Sequence, residues 1–384
     1  MCSDSSNMAI FKDIAPYDKS IFKAALRRLM SDENFKTIAS FVFPNISYNA
    51  LCQNLKALET SDEFQVYFMH RAVRRVIEES ATTLTYEGFE NLSAAESYLF
   101  IANHRDIVLD SAIMQALLVE HDMDTTEISL GDNLMISDFI IDFAKINKMY
   151  TVYRGGSRSA MLNNSKNLSA YIRFTIKEKK TSVWIAQRNG RTKDGNDRTE
   201  EALLKMLNLS GLFHPADNLT DLNIVPLTIS YEYEPCGKEK VKELYKRLQG
   251  PYEKTAGEDL KSILSGILNF KGRIHLSVGN KIDFHKEGIM QEHCYSKQIQ
   301  KAASAIDRSV HQNYKLWPNN FIAYDMLNNQ TKFNDRYSQS DYMKFKSFIS
   351  EDLAQLNEAT NVLRNMYLEM YALPVLNKIR YNFL

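Results

Sequence analysis

The sequence predicts an α/β fold: a mixed, largely parallel sheet flanked by helices, with helical N- and C-terminal regions. Three observations carry that reading. Between residues 83 and 315, short runs rich in β-branched and aromatic residues alternate with amphipathic helical patterns, as strand–helix–strand units require. Outside that span the apolar spacing is helical. The chain has 384 residues, 44% hydrophobic and 24% charged, an ordinary globular balance with ample core for one large or two modest domains. The predicted division is a helical region at 1–82, an α/β core at 83–315, and a helical region at 316–384 packed on that core.

The elements follow in order. A ragged lead-in, broken by Pro16, runs to about residue 18. Residues 19–30 (KSIFKAALRRLM) have helical spacing with Arg27 and Arg28 on the polar side. FVFPNIS (41–47) interrupts with a proline, and helical patterns resume at 48–58 and 63–80. Arg71, Arg74 and Arg75 near the end of the latter read as a solvated helix face. LTYEGFENL (84–92) suits a strand and turn. YLFIA (98–102) is a buried strand, followed by a helix at 110–121. Strands at 126–130 and 149–152 flank an amphipathic segment, 134–148. A helix at 161–177, a strand at 182–186, a polar loop and a helix at 198–207 come next. Pro226 lies inside the strand 222–231 and offers no ladder N–H, which predicts an edge position or a bulge. Helices are predicted at 238–249, 257–270 and 290–314, and a strand at 273–278. WPNNFIAYDML and a polar stretch precede helical patterns at 342–371. No internal repeat or low-complexity linker is present.

Several classes are disfavoured. Lys+Arg and Asp+Glu both number 47, so bulk charge holds no nucleic acid. Cys2, Cys52, Cys236 and Cys294 are scattered, which predicts a reducing compartment rather than a disulfide frame or a zinc site. The opening MCSDSSNMAIFKDIAPYDK lacks the basic and apolar regions of a secretory signal. No apolar run approaches membrane-spanning length. A cytoplasmic protein without metal or cofactor is expected.

The chemistry-bearing stretch is IANHRDIVLD, 101–110. His104 falls on a turn between a strand end and a helix start, where α/β proteins commonly place catalytic groups and anion sites. Two carboxylates are near it. Asp110 stands at the expected helix start and Asp106 two residues after the histidine. Either could hold one imidazole nitrogen and leave the other to take a proton from an alcohol. Asp110 also suits an N-cap role, worth about 1 kcal/mol. Two later stretches combine glycines, which let backbone amides approach an anion, with arginines, which clamp phosphate. VYRGGSRSA carries Arg154 and Arg158; WIAQRNGRTKDGNDR carries Arg188, Arg191 and Lys193 around Gly190 and Gly195. IVPLTISYEYEP suits a strand lining an apolar slot.

NHRDIVLD, VYRGG, WIAQRNGRTKDG and IVPLTISYE, in this order, resemble the four motif blocks of the glycerophospholipid acyltransferases, the family of the glycerol-3-phosphate and 1-acylglycerol-3-phosphate acyltransferases. The resemblance covers residues 98–233 and is closest to the bacterial branch whose first block reads HRDIVLD. It implies a fatty acyl transfer from acyl-CoA or acyl-carrier protein, as co-substrate, to the hydroxyl of a glycerol phosphate or lysophospholipid. His104 would be the general base and Asp110 its orienting acid. Asn103, Arg105, Arg154, Arg188, Asn189, Gly190, Arg191 and Lys193 would bind substrate, and the fourth block would line the acyl side. Backbone amides near the helix start would hold the oxyanion.

Two departures qualify the match. The usual first block has one residue fewer between histidine and aspartate, which leaves Asp106 a rival to Asp110. The third block usually carries a glutamate before its glycine, as in EGTRS; here Arg188 or Asn189 stands there. Reduced activity, a different acceptor or a compensating acid such as Asp194 would follow. A non-catalytic acyl- or lipid-binding homologue, and an O-acyltransferase of an aminoacyl lipid, are the alternatives. The implied partners are the acyl donor, the glycerophospholipid acceptor and a membrane surface, on the inner face of the cytoplasmic membrane. Segments 134–148 and 367–384, which mix bulky apolar residues with Lys or Arg, are expected to pack on the core, with peripheral membrane attachment as the alternative. For Arg71, Arg74 and Arg75, a membrane or carrier-protein contact is the sharper reading.

Overall fold

The computed structural model describes residues 10–253, 255, 257–356 and 361–384. Among them, seven strands form one sheet: β1 (Thr83–Glu87), β2 (Leu99–Ala102), β3 (Glu127–Gly131), β4 (Met149–Val152), β5 (Val183–Ala186), β6 (Ile224–Tyr231) and β7 (Arg273–Val278). Their spatial order is β1-β7-β6-β2-β5-β3-β4. Every neighbouring pair is parallel except β6 and β7. The sheet is therefore mixed and largely parallel, and the fold is α/β.

Numbering only helices of eight residues or more, the N-terminal ones are α1 (Lys19–Met30), α2 (Glu33–Val42), α3 (Tyr48–Lys56) and α4 (His70–Ser80). Those among and after the strands are α5 (Leu109–Glu120), α6 (Asp138–Ile146), α7 (Arg158–Lys177), α8 (Glu201–Asn208), α9 (Gly237–Gln249), α10 (Glu258–Leu268) and α11 (Tyr295–Asn313). The C-terminal ones are α12 (Pro318–Asn328), α13 (Gln339–Ala354) and α14 (Asn361–Arg380).

Strands buried on both faces must be apolar throughout, and β2 (LFIA) is. Leu99 and Ile101 point to one face, where α7, α8 and α11 pack; Phe100 and Ala102 point to the other, against α4 and α5. The helices before β1 close their own cluster around Phe35, Phe64 and Phe68, joined by Ile146 of α6. The last three helices do likewise with Val241 of α9.

Three expectations need correction. β6 lies inside the sheet, between β2 and β7. Pro226 is tolerated there because its carbonyl, and hence its nitrogen, faces Gly279, just past the end of β7. The lead-in is not ragged where it is described: Phe11 and Ile14 are buried, and Ile14 O accepts from Thr151 N at 2.9 Å on the outer edge of β4. Residues 1–9 lie outside the described part. The pattern at 63–80 is a short helix, a π-turn (Gln65–Met69) and α4 rather than one helix. The helical stretch at 342–371 is α13 and α14, with residues 357–360 outside the described part.

Segment 134–148 contains α6, with Asp142, Ala144, Lys145 and Ile146 buried. Lys145 donates to Ile14 O, Ala15 O and Thr151 Oγ1, and burial pushes its pKa down to about 8. Segment 367–384 falls largely in α14, whose Tyr367, Leu368, Met370, Tyr371 and Val375 are core. Both segments pack inward. The arginines of α4 are engaged locally: Arg74 with Glu120, Arg75 with Glu79, and Arg71 over the Phe43 ring at 5.2 Å. No helix among the described residues is long and apolar enough to cross a membrane.

Candidate active site

The turn after β2 is tied down from below. Asn103 Oδ1 accepts from Ile229 N at 2.8 Å, and its Nδ2 donates to Ile229 O and Asp197 Oδ2 at 3.0 and 3.1 Å. Arg105 Nε and Nη2 donate to the two oxygens of Asp197 at 3.1 and 2.5 Å, and Nη1 reaches Glu234 Oε2 at 3.2 Å. Its guanidinium lies over the Tyr314 ring, and Lys240 bridges Glu234 Oε1 and Arg105 O. Burial alone would lower the Arg105 pKa, but Asp197, Tyr314 and Glu234 carry it well above its ordinary value. Burial likewise works to raise Asp197, and Arg105 holds it below the usual carboxylate range. Asn103 and Arg105 are each 0% exposed. This corrects the substrate-binding role expected of them: a buried charge must be paired inside the protein, and these side chains brace the turn instead.

Above that brace, two carboxylates gather the amides of residues 105, 106, 108 and 109. Asp110 Oδ2 accepts from Arg105 N at 2.6 Å, Asp106 N at 2.9 Å and His104 Nδ1 at 2.9 Å. Asp110 Oδ1 accepts from the Tyr231 hydroxyl at 2.8 Å. Asp106 Oδ1 takes Val108 N and Leu109 N at 2.9 and 2.8 Å. Only the N-cap role suggested for Asp110 has passed to the other acid. Asp106 satisfies the helix-start amides, and Asp110, already inside α5, meets the histidine. The extra residue between His104 and Asp110 is absorbed in the irregular turn before α5. These bonds occupy four of the turn's amides and leave Ile107 N as the one without a hydrogen bond among the described residues.

A carboxylate only accepts, so Nδ1 of His104 carries the proton and Nε2 of the neutral ring presents a lone pair. Nε2 has no hydrogen-bond partner among the described residues, and the side chain is 14% exposed. The ring meets Trp184 edge-on, and Thr192 N donates to His104 O at 2.6 Å. Burial, then the nearby Asp110 charge, raises the Tyr231 pKa far above its ordinary value, so the hydroxyl stays a donor. Burial and Asp110 also raise Asp106, whose Oδ2 is buried without a partner against Gly266 of α10.

The loop after β5 brings the third block beside this turn. Arg191 is 7% exposed, and its Nη1 is buried with no hydrogen-bond partner. Its charge is felt by Asp106. Arg188 is half-buried, with Nε also unpartnered. Buried guanidinium nitrogens without a partner are groups able to take an anion. Gly190 has φ +75° and open space beside it, whereas Gly195 presses on α14: a Cβ there would lie 2.1 Å from Met370 O. Asn189 is exposed, and its N–H donates to Glu200 Oε2 at 3.1 Å. Glu200, not Asp194, is therefore the acid that reaches this part of the loop; Asp194 accepts from Asn196 N within it. Lys193 is paired with Glu243 and is not a free cation.

Arg154 stands apart. It is exposed and its guanidinium lies against Gly131 at the end of β3, two strands from β2 and so about 10 Å across the sheet. β6 lines no slot, since all its residues are buried between the two helical layers. An apolar cavity of about 60 Å³ lies instead at the start of α5, lined by Val108, Ser111 and Ala112 together with Met69, Val73 and Phe143.

No family model and no curated protein matches this chain. Among solved structures it is similar to the 1-acyl-sn-glycerophosphate (LPA) acyltransferase PlsC from Thermotoga maritima. The identity is 12% and the TM-score 0.38, over 77% of this chain and 97% of that one.

The residues missed in the sequence are those that act through others: Tyr231, Asp197, Glu234, Lys240 and Glu200. Tyr231 was legible only as the one aromatic residue of its strand, at that strand's end. What the assembled site can do chemically is take a proton at Nε2, hold the resulting imidazolium against Asp110, and bind an anion at Arg191 and Arg188.

Proposed function

We propose that this protein is an O-acyltransferase. It moves a fatty acyl group from the thioester of acyl-CoA or acyl-carrier protein to the hydroxyl of a glycerol phosphate or lysophospholipid. The observation that carries the reading is the His104–Asp110 pair, its Nε2 unpartnered among the described residues, on a turn hydrogen-bonded to the loop that holds Arg188 and Arg191. His104 removes the acceptor's hydroxyl proton as its oxygen attacks the thioester carbonyl, and Asp110 stabilises the imidazolium. The tetrahedral intermediate collapses, the C–S bond breaks, and the proton passes from His104 to the departing thiolate. Neither a metal nor a covalent enzyme intermediate enters this sequence. Arg191 and Arg188 hold the acceptor phosphate, and Arg154 meets the more distant part of a larger substrate. Ile107 N is the amide left to face the oxyanion, and the cavity beside Val108 and Ser111 receives apolar substrate atoms.

Product analysis with labelled acyl-CoA and lysophosphatidate tests the reading. An ester lipid is expected. Free fatty acid alone would make the protein a thioester hydrolase, and no product at all would leave an acyl-lipid-binding protein.

A further inference from the structure

Helix α10 enters the chain between β6 and β7 and lies over the carboxyl edge of the sheet. Its Gly266 presses on the turn after β2, where an added Cβ would stand 2.0 Å from Asp106 Oδ2. Its first turn reaches the loop after β3, where Asn133 Nδ2 donates to Asp259 Oδ2 at 3.3 Å. It also packs beside α4. The helix is therefore a roof over the candidate site.

The roof is inverted. A surface helix turns its apolar stripe to the core and its polar side to water. In α10 the buried residues are Ser262 and Gly266. Leu260, Leu264 and Leu268, spaced four apart on one stripe, are 45%, 50% and 68% exposed, and Phe270 just beyond is 58% exposed. A contiguous exposed patch of this kind marks an interaction surface. Cations border it. Lys261 is exposed on the same side of the helix. Lys246 and Arg247 at the end of α9 lie over the Tyr252 ring, whose hydroxyl donates to Glu258 at the start of α10. Glu258 is thereby engaged, as is Glu243 by Arg247.

We infer that α10 docks the protein on an anionic lipid surface. Leu260, Leu264, Leu268 and Phe270 enter the boundary between headgroups and acyl chains, while Lys261 and Lys246 meet the headgroups. Bulky apolar residues flanked by cations are the composition such a surface binds. The choice of a lipid surface over another protein rests on the lipid acceptor proposed above, since the roof of such a site is where a lipid must arrive.

The test is flotation of the full chain with phosphatidylcholine vesicles, with and without phosphatidylglycerol. Wild type is expected to float with the anionic vesicles, and the triple variant Leu260→Gln, Leu264→Gln, Leu268→Gln to lose roughly tenfold or more in partition. Leu264→Trp gives a second readout that needs no loss of function, a blue-shifted emission when anionic vesicles are added. His104→Ala should float as wild type does, which separates docking from catalysis. Docking falls, with the reaction untouched, if the wild type fails to float, if the triple variant floats equally, or if that variant loses self-association in sedimentation instead.

Discussion

Replacing Tyr231 with phenylalanine keeps the ring in the core and removes only the oxygen that holds Asp110 from behind. The Asp110 side chain is 2% exposed, and Tyr231 is the sole donor to its Oδ1 among the described residues. A hydrogen bond to a buried charged group is worth about 1.5–3 kcal/mol, so Tyr231→Phe should lose roughly 2 kcal/mol of stability at neutral pH. Part of that loss enters the reaction, because the imidazolium forms against this carboxylate. A loosened Asp110 should lower kcat by about tenfold, the equivalent of about 1.4 kcal/mol, with KM for the acyl donor little changed. The measurements are a denaturant titration and steady-state thiol release from acyl-CoA. A variant as stable and as fast as wild type would refute the view that Tyr231 positions the dyad.

Arg191→Met removes the unpaired buried guanidinium; KM for lysophosphatidate should rise by roughly tenfold or more while KM for acyl-CoA moves little, as initial rates at varied substrate will read. Gly266→Ala sets a methyl against Asp106 Oδ2 and should destabilise the fold by about 1–3 kcal/mol in denaturant titration. Asp307→Asn keeps the acceptor for Thr199 N but removes a carboxyl that burial raises to about 6. A raised carboxyl favours the fold below its unfolded value, near 3.8, and loses that favour as pH rises through about 6. The asparagine variant should therefore exceed wild type by up to ~3 kcal/mol at pH 7 and lose the advantage by pH 4, a trend that melting curves across this range will follow.

What could be read from the sequence was local. The strands at β2, β4 and β7 announced themselves by β-branched and aromatic runs, and His104 by its place between a strand and a helix. Asp110 was readable because it opens a helical pattern six residues after the histidine. The roles of Asn103 and Arg105 were not, because they are decided by partners far along the chain. Asp197 and Glu234 stand 92 and 129 residues from Arg105, and Tyr231 stands 121 from Asp110. An arginine within a motif looks the same whether it faces a phosphate or a buried aspartate. The N-terminal lead-in was opaque for a similar reason, since its carbonyls are satisfied by Thr151 and Lys145. α12 left no periodic trace because it is buried at Phe321, Ile322, Ala323 and Asp325, on more than one face. In α10 the period was plain, but spacing alone says which residues share a face and not which way that face points.

The most direct test of the central claim is acceptor-dependent thiol release from acyl-CoA by wild type and His104→Ala, side by side with lysophosphatidate. Removal of a general base lowers the rate by about 10²–10⁴-fold. The account predicts release that depends on the acceptor in wild type and falls by that factor in His104→Ala, with the fold intact by circular dichroism. Undiminished turnover in the variant would contradict it.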